Sequence, residues 1–406
     1  MPMSPTTLLP GATVAWFVPG RIEVLGKHTD YAAGRSLLCA VDRGFSAAGR
    51  LNGTDTIAIR DADSSETVTL ATTGPVAMPA MPWGRYPAVV VSRIIQNFPG
   101  TLRGCDIAFA SNLPPAAGLS SSSALVIMTF QMLADLCGIH TGLDTPEELA
   151  GYLGAVENGR RYGPFAGDAG VGTSGGSQDH VAILCSRPDH LVRYSFAPVR
   201  FEGSIPMPAG HCFVIAASGV RAEKTGAAMD SYNNAAASTR SIVDRWNQST
   251  GRSDATLADA LASSPDAGDR LRLLLRDSPW LPRFEQFVDE STRIIPAAAA
   301  ALAAGDLPEF GRLVDLSQAG AERGLGNQIA ATIFLARSAR GLGAAAASAF
   351  GAGFGGSVWA MVPTSDAGEF AKQWEGDYRS RFGHQPTFFR TSAAEPARRV
   401  DVKSPF

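Results

Sequence analysis

Pro114-Pro115-Ala116-Ala117-Gly118-Leu119-Ser120-Ser121-Ser122-Ser123-Ala124 is the stretch on which the reading of this 406-residue chain turns. Its small residues let a backbone approach a ligand closely, and its four serines supply hydroxyls as donors and as hard metal ligands. The apolar run Ala124–Leu133 follows and predicts a buried helix. A Gly/Ser loop that opens a helix is an anion site, because free backbone N–H groups and the positive end of the helix dipole converge there. A nucleotide phosphate is its natural guest. The competing reading is a flexible linker, but linkers are not framed by a Pro-Pro stiffener and a long apolar run.

Working outward, Cys105–Ala110 predicts a short strand feeding the loop, and 85–98 a helix with Tyr86, Val89, Val90, Ile94 and Ile95 on one face. Residues 13–18 and 37–45 are β-like and flank a polar, turn-rich insert, while 55–71 alternate like half-exposed strands. A helix is expected over about 146–161, with Thr145 as N-cap, Pro146 in its first turn and Glu148 closing a capping box. The Gly-dense stretch 163–177 is expected to be a loop. The linker-like Ile205–Gly210 suggests two domains, 1–205 and 206–406. Beyond it, Cys212–Ala217 predicts a strand, and the Ala runs 296–304 and 344–347 predict closely packed core helices. Gly351–Gly356 fits GxGxxG, yet the expected order of helix, then glycines, then strand is the reverse of a dinucleotide fingerprint. A helix-to-strand turn is the plainer reading.

Composition narrows the function classes. Apolar content of 45%, charged content of 18% and a net charge of −3 fit a soluble globular protein with no general attraction to nucleic acid or anionic membranes. The five cysteines are scattered without a CxxC, which argues against a zinc site or disulfide framework and suits a reducing cytosol. With no signal-peptide pattern and no long apolar run, a cytoplasmic location is expected.

Two more segments carry chemistry. In Pro19–Tyr31, Arg21, His28, Thr29 and Asp30 fall together on what reads as a turn between strands. Asp30 and His28 suit vicinal sugar hydroxyls and Arg21 suits phosphate, although charged loops are commonly just solvated. In Gly175–His180, Asp179 stands behind a Gly turn at the edge of an apolar run, where it can take a hydroxyl proton or simply cap the turn.

Together these segments resemble the GHMP kinases, and among them the galactokinases. Gly20-Arg21-Ile22-Glu23-Val24-Leu25-Gly26-Lys27-His28-Thr29-Asp30-Tyr31-Ala32-Ala33-Gly34 is similar to GR-x-N-x-x-G-EHTDY-x-x-G, Pro114–Ser122 to P-x-x-x-GLSSS, and Gly351–Gly356 to GGGFGG with Ala352 as the one change. Trp83-Gly84-Arg85-Tyr86 resembles the W-x-x-Y beside the adenine, and Ser218–Arg221 followed by Tyr232 a substrate-facing segment. Gly305–Leu313 resembles a family helix. The resemblance implies a two-domain α+β fold, with an S5 domain 2-like first half, a ferredoxin-like second half and an active site between them. It implies an ATP-dependent sugar kinase using Mg²⁺, with a small-molecule sugar as partner and the anomeric C1 hydroxyl of galactose or a related sugar as acceptor; a monomer or weak homodimer is expected. By the same resemblance, Asp179 and Arg21 are catalytic, and Arg21, Lys27, His28, Asp30, Gly176, Asp179 and Tyr232 bind the sugar. Trp83, Tyr86, Pro114, Gly118, Leu119, Ser120, Ser121, Ser122, Ser123, Gly353, Gly355 and Gly356 bind nucleotide, and Ser122 and Glu157 hold the metal.

Three departures qualify the substrate. Lys27 replaces a Glu that in galactokinases holds the sugar's C6 hydroxyl, so either the sugar differs at that end, as in a uronic acid, or Lys27 swings out to solvent. Glu23 replaces an Asn. Gly175-Gly176-Ser177-Gln178-Asp179 looks like the fucose- and heptose-type kinases, and the insert before it alters the expected spacing of Glu157 and Asp179. A non-catalytic ATP- and sugar-binding sensor is the alternative of another class, against which stands the presence of Arg21, Ser122, Glu157 and Asp179 together.

Overall fold

The computed structural model describes residues 4–114, 117–220 and 227–406. After a short helix α1 (Pro5–Leu8), the first half alternates sheet and helix: β1 (Val14–Leu25), β2 (Arg35–Leu51), β3 (Thr56–Asp61), β4 (Thr67–Ala71), α2 (Arg85–Asn97), β5 (Cys105–Ser111), α3 (Ser121–Cys137), α4 (Pro146–Glu157), α5 (Gln178–Cys185), β6 (His190–Ser195) and β7 (Arg200–Pro206). The second half runs β8 (His211–Ala217), then helices α6 (Ala227–Thr250), α7 (Leu257–Ala262), α8 (Ala267–Leu275), α9 (Leu281–Val288), α10 (Ile295–Ala303), α11 (Leu307–Gly320) and α12 (Ala330–Gly341). It closes with β9 (Ala346–Phe350), β10 (Ser357–Pro363), α13 (Ala367–Arg381), β11 (Thr387–Thr391) and β12 (Arg398–Arg399). Thr145 and Glu148 form the expected capping box at the start of α4.

Two sheets organise these elements. The first has the order β12-β1-β2-β5-β3-β4, with β6 on β2 and β7 on β6. The second is β11-β8-β10-β9. Only the β3–β5 pair is parallel among the described pairings. The chain changes sheets between Pro206 and His211, and its end returns: Arg398 and Arg399 pair with Phe17 and Trp16, and Ala394 bridges Ala40. Helices α3 and α5 pack on β1 and β2. The inner face of the second sheet, with Phe213, Ile215, Trp359 and Met361, shares one apolar core with the first sheet. Its outer face, with Val214, Ala216, Val358 and Ala360, packs on α12 and α13. Helices α6 to α9 form a separate lobe whose core includes Ala32, just past the polar turn of the first motif.

Two sequence expectations change. Strand β1 continues to Leu25, so Arg21 lies on a strand and only His28, Thr29 and Asp30 lie on the turn. The second Ala run is not helical: 346–350 form the fully buried strand β9, paired with β10. Helix propensity loses here to packing: α11 and α12 lie on this strand, and α11 comes so close that a Cβ on Gly311 would stand 2.2 Å from Ala345 O. Gly351–Gly356 is therefore a hairpin turn between two strands.

Ala347→Leu adds volume at a site with 1% exposure. It should destabilise the protein by about 1–3 kcal/mol in urea unfolding. Ala300→Leu, on the exposed face of α10, should change stability by less than about 0.5 kcal/mol.

Candidate active site

The period-2 geometry of β1 turns Ile22 and Val24 into the core and sets Arg21 and Glu23 on the opposite face, lining a cavity between the two sheets. Arg21 is 2% exposed, and all three of its guanidinium nitrogens are engaged. Its guanidinium meets Asp179 Oδ1 at 2.7 Å through Nη2 and 2.8 Å through Nε, two donors sharing one oxygen, and its Nη1 donates to Gly118 O at 2.6 Å. One side chain thus fixes both the carboxylate at the start of α5 and the loop that opens α3.

That loop has the geometry of an anion cradle. Gly118 and Ser120 are left-handed, at φ of +73° and +59°, and the chain kinks sharply into α3. The first helical bond is Ala124 N to Ser120 O, so the amides of the first turn have no intrahelical partner. Ser120 Oγ is buried and unpartnered. Pro114 and Leu119 shape the approach, and Arg21 N is bonded to Leu119 O. Pro115 and Ala116 lie outside the described residues.

The serine that bonds Glu157 directly stands one position beyond the one expected beside it. Ser123, not Ser122, donates to Glu157 Oε2 at 2.7 Å and reaches Asp179 Oδ2 at 3.5 Å. One residue of helix rotates a side chain by about 100°, which sends Ser123 inward and leaves Ser121 and Ser122 half-exposed. The Gly-rich insert does not separate Glu157 from Asp179. It folds back on the end of α4, where Asn158 Oδ1 accepts from Gly175 N at 2.7 Å and Thr173 Oγ1 at 2.8 Å. Buried Arg93 clamps it further through Asp168 at 2.8 Å. His180, which the motif reading passed over although it adjoins Asp179, is buried with Nε2 3.1 Å from Glu157 Oε2.

The turn of the first motif forms the opposite wall. Asp30 Oδ2 accepts from Gln178 N at 3.1 Å, and burial raises its pKa above the ordinary carboxylate value. A Cβ on Gly176 would stand 2.4 Å from that oxygen, and one on Gly175 2.6 Å from Tyr232 Oη, so a side chain at either position would displace Asp30 or Tyr232. His28 is left-handed at φ +56°; its ring contacts Tyr31 Oη at 2.9 Å and Ala352 O at 2.9 Å and lies 5.2 Å from the Tyr232 ring. Three side chains of one helical face hold this turn from behind, in reverse order: Arg283 donates to His28 O at 2.6 Å, Gln286 to Lys27 O at 3.3 Å, and Glu290 accepts from Gly26 N at 2.7 Å.

Lys27 corrects the sequence reading in both its forms. It neither faces the cavity nor reaches solvent: it is fully buried, is not among the cavity-lining residues, and donates through Nζ to Ser317 Oγ at 3.2 Å. Ser317 in turn donates to Glu290 at 2.9 Å. The carboxylate of Glu290 draws the ammonium away from the cavity into a buried, relayed ion pair.

The glycine turn is corrected too. The residues that face the cavity are Gly351 and Ala352. A Cβ on Gly351 would lie 3.0 Å from Gly118 O, so this turn seats directly on the phosphate loop, and Ser357 Oγ donates to Ala117 O. Gly353 is taken up against Asn327, Gly356 bonds Val220 and Ser218 through its backbone, and Gly355, at φ +139°, shapes the turn between them. Arg221, of the expected substrate-facing segment, lies outside the described residues. Trp83 and Tyr86 stand apart from the cavity; Trp83 donates to Glu66 at 2.8 Å and packs edge-on against Phe109, at the mouth of β5.

Comparison with known proteins agrees with this geometry. Three family models match in chain order: the galactokinase galactose-binding signature over 10–51, the GHMP kinases N terminal domain over 85–186, and the GHMP kinases C terminal over 298–379. The chain is 25% identical to a galactokinase of Halalkalibacterium halodurans over 94% of this chain and 91% of that one. It is 26% identical to a galactokinase of Roseiflexus sp. over 94% and 92%. Its fold is similar to that of the Lactococcus lactis galactokinase complexed with galactose, with a TM-score of 0.83, 21% identity and 97% of each chain covered. It is also similar, at a TM-score of 0.59 and 13% identity over 96% and 99%, to a D-glycero-D-manno-heptose 1-phosphate kinase. Among the described residues no helix is long and apolar enough to cross a membrane. With a phosphate cradle, a sugar-type turn and a glycine hairpin meeting at Arg21, and with all three models falling on those parts, the chain belongs to the GHMP kinase family, on its galactokinase-like side.

Proposed function

We propose that this protein transfers the γ-phosphoryl group of ATP to galactose, at the anomeric C1 hydroxyl. The observation that carries the reading is the position of Arg21, which joins the carboxylate Asp179 to the phosphate loop at Gly118. Phosphoryl transfer asks for alignment and charge stabilisation rather than for covalent chemistry by the protein. Asp179 is placed to take or orient the proton of the sugar hydroxyl, and Arg21 to balance charge at the transferred group. Loop residues Gly118–Ser123 offer amides and the unpartnered Ser120 hydroxyl to the phosphates. Asp30, His28, Gly176 and Tyr232 frame the sugar, and Trp83 with Tyr86 offers a surface for the adenine.

The donor set fits Mg²⁺, since the first turn of α3 and Glu157 present only hard oxygens. Glu157 and Ser122 would hold the ion, with Ser123 fixing the Glu157 carboxylate, and the ion would supply positive charge to the phosphates.

The cavity wall favours a neutral sugar. Four carboxyl groups, Glu23, Asp30, Glu157 and Asp179, line it, and the cation that suggested a uronic acid is buried elsewhere. In an ATP-consumption screen, galactose should be turned over and galacturonic acid should be at least about 100-fold poorer in kcat/KM, the cost of an uncompensated charge against these carboxyls. Faster turnover of the uronic acid would overturn the substrate assignment. NMR of the product should place the phosphate on C1.

Asp179→Asn keeps shape and removes the base. It should lower kcat by about 10²–10⁴ with sugar KM little changed. Wild-type turnover by this variant would refute the role given to Asp179.

A further inference from the structure

Glu23 is the one cavity-lining side chain in β1 that the reading above leaves without work. It is 3% exposed, lies on the same strand face as Arg21 about 7 Å along, and its Oε1 is buried with no hydrogen-bond partner. A buried carboxyl oxygen without a donor is costly, and such an atom in the wall of a binding site waits for one. In the structure neither neighbouring cation bonds it. Arg21 is turned to Asp179 and Gly118 O, and Lys27 to Ser317. What remains is a donor arriving through the cavity.

Resting on the sugar-kinase reading, we propose that Glu23 is a further specificity-determining residue, whose Oε1 accepts a second hydroxyl of the sugar while Asp179 takes the reacting one. The buried Lys27 supports this role rather than binding sugar itself: it places a positive charge behind Glu23, and Glu290 and Ser317 keep that charge in the wall. Substrate is thereby required to bring a hydroxyl, not an anionic group, to this part of the wall.

The carboxyl also carries a pH signature. Burial pushes the Glu23 pKa up to about 8, against the pull of Lys27 and Arg21 and with smaller repulsion from Glu290 and Asp179. Below that value it is neutral and Arg21 stays with Asp179. As pH rises through about 8 the wall gains a second negative charge on the Arg21 face, which offsets the positive field of the guanidinium, so turnover falls on the alkaline side.

The test compares wild type, Glu23→Asn and Glu23→Gln with galactose and each monodeoxygalactose, varying sugar and ATP in turn. Shortening to Asn withdraws the acceptor, and should raise sugar KM by about tenfold or more while ATP KM stays within about twofold. One monodeoxy sugar that is poor with wild type should lose nothing further with Glu23→Asn, which identifies the hydroxyl. Gln keeps an acceptor oxygen, so its sugar KM should stay within about threefold and its alkaline limb should vanish. An unchanged sugar KM in Glu23→Asn, equal losses for sugar and ATP, or an alkaline limb that persists in Glu23→Gln would each overturn the proposal. Should Glu23→Asn fail to fold, Glu23→Ala with the same sugars and the same criteria decides in its place. A wild type inactive on every sugar sinks the galactose reading instead; calorimetric binding of galactose without ATP then reads Glu23→Asn directly, weaker binding supporting the assignment and equal binding overturning it.

Discussion

Everything at this site hangs on one guanidinium. Arg21 is almost wholly buried and holds two things that would otherwise be independent, a carboxylate on α5 and the carbonyl of the phosphate loop. A buried charge of this kind survives only because both of its faces are satisfied. Gly351 then seats the second sheet against the same loop, so three distant segments share one small volume and none can shift alone.

A second layer of polar contacts lies behind that volume. Glu290 accepts from Gly26 N and from Ser317, Ser317 accepts from Lys27, and Arg283 and Gln286 hold the two carbonyls that follow. These contacts touch the cavity only through the backbone they position. They explain how a lysine can stand in a sugar-binding motif without presenting its charge to the sugar.

The sequence made the cradle, the carboxylate and the arginine legible because each sits in a short local pattern. Thr145 and Glu148 were legible for the same reason, since a capping box is written in four consecutive residues. What could not be seen was anything fixed by distant partners. Lys27 was expected at the sugar or in solvent because Ser317 and Glu290 are more than 250 positions away along the chain. That Ser123, of the four serines, turns inward to Glu157 could not be seen because the helix phase depends on where a left-handed kink at Ser120 begins the first turn. The Ala run before Gly351 was expected to be helical because alanine's propensity is local, while the narrow gap that makes it a strand is not. The orphan oxygen of Glu23 needed burial and partners to be known together.

The support of the first motif by Arg283, Gln286 and Glu290 has a consequence for biosynthesis. His28 and its brace are 255 residues apart, so at ribosomal speed about 10–50 s pass between their appearance. During that interval the phosphate loop and its strand are already made, but the turn that frames the sugar has nothing to hold its shape. Selectivity is therefore acquired late, and the seat of the phosphate loop at Gly351 and Ser357 later still, so a prematurely terminated product would carry both halves of the site without their supports.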